Sequence, residues 1–186
     1  STFLRVLGQI TEHTADLVRR RSSVGVDMNR RAGLRPTRSG VCSFLGKAGF
    51  ADLVGYTHTR WEGDLAGFSL TVGPQHINRS GVMHGGMLVT LIDTACGYAG
   101  TWCEKKDNVR WAITVNLTTN FTGQAKSGTI TTVGRKRGGG RKIFFASAEV
   151  MDENGQILGF GDSVQRYRSG SEDPEGMAYK RPVCAR

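Results

Sequence analysis

Asn78-Arg-Ser-Gly-Val-Met-His84-Gly85-Gly86-Met-Leu-Val-Thr-Leu-Ile-Asp93-Thr-Ala-Cys-Gly-Tyr-Ala-Gly-Thr-Trp102-Cys-Glu104 is the stretch on which the reading of the chain turns. It opens with turn residues (Asn78, Ser80, Gly81), reaches His84-Gly85-Gly86, and then runs apolar to Trp102. Met87, Leu88, Val89, Leu91, Ile92, Ala95, Cys96, Tyr98 and Ala99 fall on nearly every side of a helix, the pattern of a buried one. The run is too short, and too interrupted by Gly97 and Gly100, to span a membrane. Inside it sits a single carboxylate, Asp93. A carboxylate in such surroundings is either paired for structure or placed for chemistry, because desolvating its charge is costly.

The rest of the composition sets the bounds. A chain of 186 residues suits one domain with a sizeable core and short appendages. A hydrophobic content of 38% and a charged content of 22% exclude a disordered or membrane-embedded chain as the main class. The formal net charge of +9 raises the question of a polyanionic partner. Its distribution answers in part: residues 1–48 carry nine basic and three acidic side chains, so the excess is concentrated in an N-terminal arm. One helix cannot form a helix-turn-helix, so nucleic-acid binding is not expected. Cys42, Cys96, Cys103 and Cys184 show no zinc spacing and read as reduced thiols. Acids interleave the N-terminal apolar positions, so no leader is expected and a cytoplasmic location is.

Taken in order, Phe3–Arg20 has helical periodicity, and residues 22–49 read as a Gly-, Ser- and Arg-rich arm. Val54–Trp61 and Leu65–Val72 flank Glu62-Gly63-Asp64 as a hairpin. After the buried helix the period-2 pattern returns at Trp111–Phe121, Thr129–Arg135, Ile143–Met151 and Ile157–Tyr167, read as a meander of four strands. Gly138-Gly139-Gly140 marks a turn in a basic loop, and Asn154-Gly155 is the strongest short hairpin signal. From Arg168 onward the composition predicts a poorly ordered tail. Three parts follow: helix and arm over 1–49, a main domain over 50–168, and a tail over 169–186. The fold class is α+β, a curved antiparallel sheet wrapped around one long buried helix, with an extra N-terminal helix. An open sheet of this kind has edges to protect, which predicts at least a homodimer.

Residues 50–167 resemble the hotdog-fold acyl-CoA thioesterases of the phenylacetate-pathway type. The resemblance is carried by Asn78 through His84-Gly85-Gly86, by Asp93 seven residues beyond Gly86, by Thr114-Val-Asn-Leu-Thr-Thr-Asn-Phe121 and by the Asp152–Gly155 turn. It implies hydrolysis of an acyl- or aryl-coenzyme A, with no cofactor beyond the coenzyme A of the substrate. Asp93 would be the general base or the nucleophile, and the Gly85 N–H, aided by the helix dipole, an oxyanion donor. Asn78 matches a position that places water or the carbonyl and Thr114 one beside the carboxylate, while at the helix start His84 is a further catalytic candidate and Gly86 a candidate for substrate contact. Gly85 and Asp93 stand roughly 12 Å apart along one helix. The resemblance therefore implies a composite site, with Asp93 supplied by the partner of a homodimer, two of which pair back to back in a tetramer. Arg135, Arg137, Arg141 and Lys142, on the basic loop, are the candidates for the coenzyme A phosphates. The chain departs from the family after Phe121, where Thr122–Gly128 replaces a proline-containing turn followed by Gly-Asp.

Each assignment has a plainer competitor. His84 suits a backbone hydrogen bond at a turn, Asn78 a cap, Thr114 an ordinary strand position, and the basic loop a solvated hairpin tip. His58 and His76 read as surface or loop residues, and Trp61, Trp102 and Trp111 as core or pocket lining. Two other functions compete: a His-centred hotdog hydratase, which lacks an acid partner pattern around His84, and a non-catalytic acyl-CoA-binding sensor. Asp93 separates the last from an enzyme, because a sensor does not need it.

Overall fold

The computed structural model describes residues 49–179. The helix expected at Phe3–Arg20, the basic arm up to residue 48, and residues 180–186 of the tail lie outside the described residues. A short helix α1 (Gly49–Val54) leads into the hairpin β1 (Thr57–Glu62) and β2 (Leu65–Thr71). The long helix α2 (Gly85–Gly100) follows, then β3 (Asn108–Val109), β4 (Ala112–Phe121), β5 (Thr129–Gly139), β6 (Ile143–Met151), β7 (Ile157–Tyr167) and β8 (Met177–Ala178). Six strands form one antiparallel sheet in the order β1-β2-β5-β6-β7-β4.

Strand order corrects the four-strand meander. Only β5-β6-β7 is a meander; β4 crosses to the far edge and pairs with β7, while β5 pairs with β2. Alternation reveals which face a strand buries, and it is silent on which neighbour the strand chooses. The β6–β7 connection also differs from a two-residue Asn-Gly turn. Gly155 takes the positive φ expected of it, yet Asp152 organises a longer loop, its Oδ1 accepting from the Asn154 and Gln156 N–H groups at 2.9 and 2.8 Å.

Alternation in the strands builds the concave face. Phe144, Ala146, Ala148 and Val150 of β6 are buried, together with Phe68 and Leu70 of β2, Ile130 of β5 and Leu158 of β7. Leu88, Leu91, Ile92, Ala95, Cys96 and Ala99 of α2 meet them in one core. Small residues set how closely the helix approaches: a Cβ on Gly134 of β5 would collide with the backbone carbonyl of Ala95. The residues of α2 do not all face the sheet. Val89, Thr90, Asp93, Thr94 and Gly97 are only half-buried, so the sheet covers one side and leaves a stripe of α2 open. Strand β4, at the edge, is mostly exposed, with Val115 and Phe121 among its open positions.

The tail expected to be disordered is a strap as far as Tyr179. Ser171 is fully buried; its Oγ accepts from the Trp111 N–H at 2.9 Å and its carbonyl from Arg110 Nε at 3.0 Å. Further along, β8 pairs with β3, Cys103 Sγ donates to the Glu175 carbonyl, and Lys105 bridges the Glu175 carboxylate at 3.0 Å. Side chains of Cys103, Asn108 and Arg110 hold this strap by its backbone carbonyls, which leaves no hydrophobic period to read.

Of the two histidines expected at the surface or in loops, His76 lies in the connection after β2 but is buried, and His58 lies half-buried on β1. His76 is 3% exposed and satisfied at both nitrogens: Nδ1 accepts from the Gly73 N–H and Nε2 donates to the Val54 carbonyl. His58 packs against the rings of Phe68 and Tyr98, with centroids at 4.3 and 4.5 Å, and its buried Nδ1 has no partner among the described residues. Burial lowers its pKa from 6.5 to about 4. The unfolded chain therefore takes up this proton first. Its contribution to stability is full above pH 6.5 and is lost as pH falls toward about 4. A His58→Phe variant keeps the ring packing without the titration. Its melting temperature should fall less than that of the wild type between about pH 7 and about pH 4.5, and equal falls would contradict this assignment.

Candidate active site

The start of α2 is built by His84. With φ −62° and ψ 134° it is the N-cap, and its Nδ1 accepts from the Gly86 N–H at 2.8 Å. That bond fixes the neutral ring as the Nε2–H tautomer. The Met87 N–H goes to the His84 carbonyl at 2.8 Å. Among the described residues Gly85 thus keeps the uncommitted amide of the first turn, at the positive end of the helix dipole. The phenyl ring of Phe121 lies over Gly85, and a Cβ there would come within 3.3 Å of it. Phe121 is exposed, so a larger residue at Gly85 asks its ring to give by a few tenths of an ångström. Asn78 is committed to the preceding turn: its Oδ1 accepts from the Ser80 N–H at 2.8 Å and the Val82 N–H at 3.4 Å.

Asp93 lies two turns along the same helix, on its open stripe. Thr114 of β4 reaches it from the sheet edge, its hydroxyl donating to Asp93 Oδ1 at 2.6 Å. A bulge at Val115 resets the β4–β7 register between Thr114, opposite Gln165, and Asn116, opposite Val164. Gln165, 1% exposed, sits 3.2 Å from the Thr114 hydroxyl and 3.2 Å from Ser163 Oγ. One hydroxyl has one proton, and Asp93 takes it. The network balances when the Gln165 amide nitrogen donates to Thr114 and its oxygen accepts from Ser163. Behind Ser163, burial pushes the Cys96 thiol up to about 11, so it stays protonated and unreactive. Thr114, expected beside the carboxylate, is there. Gln165 and Ser163 were missed, although polar residues on the inward phase of β7 are the kind of anomaly that marks a site.

Asp93 opens into a cavity of about 240 Å³ walled by Tyr56, Trp61, Tyr98 and Trp111, with Arg110 as its cation. The Trp61 indole N–H donates to the Tyr98 carbonyl at 2.8 Å, and Tyr98 stacks edge-on against Trp61. Arg110, which sequence reasoning also missed, borders a larger cleft of about 1000 Å³ beyond the helix C-terminus. Among the described residues no group of three His, Cys, Asp or Glu side chains stands ready to hold a metal ion.

The basic candidates do not form one patch. Strand β5 runs on to Gly139, so Arg135 and Arg137 are strand residues, and the loop proper is short. Arg137 donates through Nε to Ser147 Oγ across to β6. Arg141 lines the large cleft, where Lys136 faces Asp64 at 3.3 Å. Lys142 is exposed, and its backbone carbonyl accepts from the Tyr167 N–H. Gly86, a candidate for substrate contact, has its N–H occupied by His84.

The arrangement of one helix in a wrapped sheet is shared by solved structures. A conserved protein of Pseudomonas aeruginosa is 25% identical with a TM-score of 0.61, over 66% of this chain and 95% of that one. A thioesterase of Haemophilus influenzae is 18% identical with a TM-score of 0.61, over 67% and 86%. The PaaI protein from the phenylacetic acid degradation operon of E. coli is 21% identical with a TM-score of 0.61, over 69% and 90%. Residues 80–158, from the turn before His84 to the start of β7, match the family model described as the thioesterase superfamily. The fold is the hotdog fold. No curated protein matches the chain by sequence. The matched segment includes His84, Gly85, Asp93 and Thr114 of the hotdog domain and stops short of Ser163, Gln165 and the strap. Among the described residues no helix is long and apolar enough to cross a membrane.

A cap role for His84 predicts a specific outcome. His84→Ala should cost about 1 kcal/mol of stability, and His84→Asn, a strong N-cap, should restore most of it. Chemical denaturation checks this; equal losses in both variants would show that the imidazole does more than cap.

Proposed function

We propose that the protein hydrolyses the thioester of an acyl- or aryl-coenzyme A, releasing the free acid and coenzyme A. One observation carries the reading: an uncommitted amide at the start of α2 and a carboxylate on the open stripe of the same helix, held by Thr114 beside a cavity. The thioesterase-superfamily match over residues 80–158 supports it. The amide of Gly85 receives the carbonyl oxygen and stabilises the negative charge that develops there. As general base, Asp93 takes a proton from water through Oδ2 while the water oxygen bonds to the carbonyl carbon. Collapse of the tetrahedral intermediate breaks the C–S bond, and the leaving thiolate recovers the proton from Asp93. As nucleophile, Asp93 instead forms an acyl anhydride that water then opens, with the same products.

Within one chain the two groups are roughly 12 Å apart along the helix axis, too far to act on one carbonyl. The site we propose is therefore made by a homodimer, Gly85 from one protomer and Asp93 from its partner. Two features of the fold support this: the half-buried stripe at Val89, Thr90, Asp93, Thr94 and Gly97, and the long edge of β4 beside it, unpaired among the described residues. An isologous partner would cover both. Further pairing into a tetramer, with the sheets back to back, suits Phe145 and Phe160, which are exposed on the two adjacent strands β6 and β7. The free thiols of Cys96 and Cys103 suit a reducing compartment such as the cytoplasm.

Thiol release from a panel of short, medium, long and aryl acyl-CoAs tests the reading. Asp93→Asn should lower kcat by about two orders of magnitude or more. Gly85→Pro removes only the proposed oxyanion donor: the position is the first of the helix, where proline fits, and His84 already has the extended backbone that precedes proline. It should lower kcat about a hundredfold or more while leaving the fold intact. Tight binding of acyl-CoA with no turnover by the wild type would instead favour a sensor.

A further inference from the structure

We propose that Arg110 recognises a carboxylate carried on the acyl group, so that the preferred substrates are carboxyacyl thioesters rather than plain alkanoyl ones. For the reaction itself this rests on the thioesterase reading; for recognition it stands on the geometry of Arg110. Nε of that side chain donates to the Ser171 carbonyl at 3.0 Å, and the guanidinium carbon lies 4.1 Å from the ring centroid of Tyr167. Ser171 is fully buried and Tyr167 nearly so, its hydroxyl donating to the Gly100 carbonyl at 2.8 Å, so the guanidinium is held from two sides. These contacts use one N–H and one face. Both terminal amino groups remain, the pair that binds a carboxylate through two parallel hydrogen bonds.

The charge is also unbalanced. Among the described residues no carboxylate pairs with Arg110, nor with Arg141 across the large cleft, whereas the two lysines of that cleft are matched, Lys105 with Glu175 and Lys136 with Asp64. Arg110 is half-buried, and a partly desolvated cation without a counter-ion is costly unless a ligand supplies one. It lines the same cavity as Asp93, where the reacting carbonyl would sit.

The coenzyme A phosphates are the other source of negative charge, and the surroundings disfavour them. A polyphosphate needs a surplus of cations, yet the cleft beyond Arg110 is also lined by Asp64, Glu104, Glu172 and Glu175. The Asp93 cavity offers one cation among aromatic walls, which matches one carboxylate at the end of an aliphatic or aryl acyl chain.

The test compares ω-carboxyacyl-CoA with methyl-ended acyl-CoA of equal length, for wild type, Arg110→Gln and Arg110→Lys. Wild type should prefer the carboxylated series, and Arg110→Gln should lose about tenfold to a hundredfold in kcat/KM on that series, chiefly through KM. Its kcat/KM on the neutral series should change less than about threefold, which also serves as the folding control, and Arg110→Lys should retain part of the preference. The same preference should persist with N-acetylcysteamine thioesters, which lack phosphates. Equal losses on both series in a variant that melts like the wild type, or no wild-type preference for the carboxylate, would overturn the proposal. If the wild type turns over no thioester, the reaction reading fails, and calorimetry with non-hydrolysable thioethers decides the matter. Tighter binding of the carboxyalkyl thioether, lost in Arg110→Gln, supports the subsite; equal binding of carboxyalkyl and alkyl thioethers removes it.

Discussion

The hydrogen bond from Thr114 to Asp93 joins the edge strand of the sheet to the helix that the sheet encloses, and the layout of the site follows from it. Asp93 would be intolerable in the interior of so apolar a helix if the sheet covered every side. It stands instead on the stripe left open, where a hydroxyl, backed by Gln165 and Ser163, gives the carboxylate a fixed orientation. One carboxylate oxygen takes that bond, and the other is left for chemistry.

Close packing makes this placement definite. The helix approaches β5 at Gly134 to backbone contact, so α2 has little freedom to slide or roll on the sheet. Its register then sets the height of Asp93 against Thr114 and of Gly85 beneath Phe121. At the other end the strap fixes Arg110 and Trp111 through Ser171, so the walls of the Asp93 cavity come from segments far apart in the chain.

Much of this was legible in the residues. The apolar run after His84-Gly85-Gly86 marked the central helix, the period-2 strands marked the sheet, and Asp93 stood out because a lone acid in that run demands an explanation. The pairing of Thr114 with Asp93 came from resemblance. Strand order was not legible, because alternation specifies a face and never a neighbour. The open stripe of α2 was missed because threonine and glycine there read as compatible with burial. The strap was missed because backbone hydrogen bonds from Ser171 and Asn108 leave no period in a polar segment. The burial of His76 was not legible because a loop histidine bonded at both nitrogens looks, in sequence, like an exposed one. Arg135, Arg137, Arg141 and Lys142 are close in sequence, yet the extension of β5 divides them among different surroundings.

A carboxylate and an oxyanion donor on one helix cannot meet, so the account depends on two chains sharing each site. Mixing protomers tests that dependence directly. Asp93→Asn and Gly85→Pro chains, each inactive alone, are denatured together, refolded and assayed for thiol release. The account predicts recovery of roughly a quarter of wild-type activity, the statistical share when random pairing in a two-fold dimer leaves one intact site per mixed dimer. A mixture as inactive as its parents, in dimers shown to contain both chains, would contradict it.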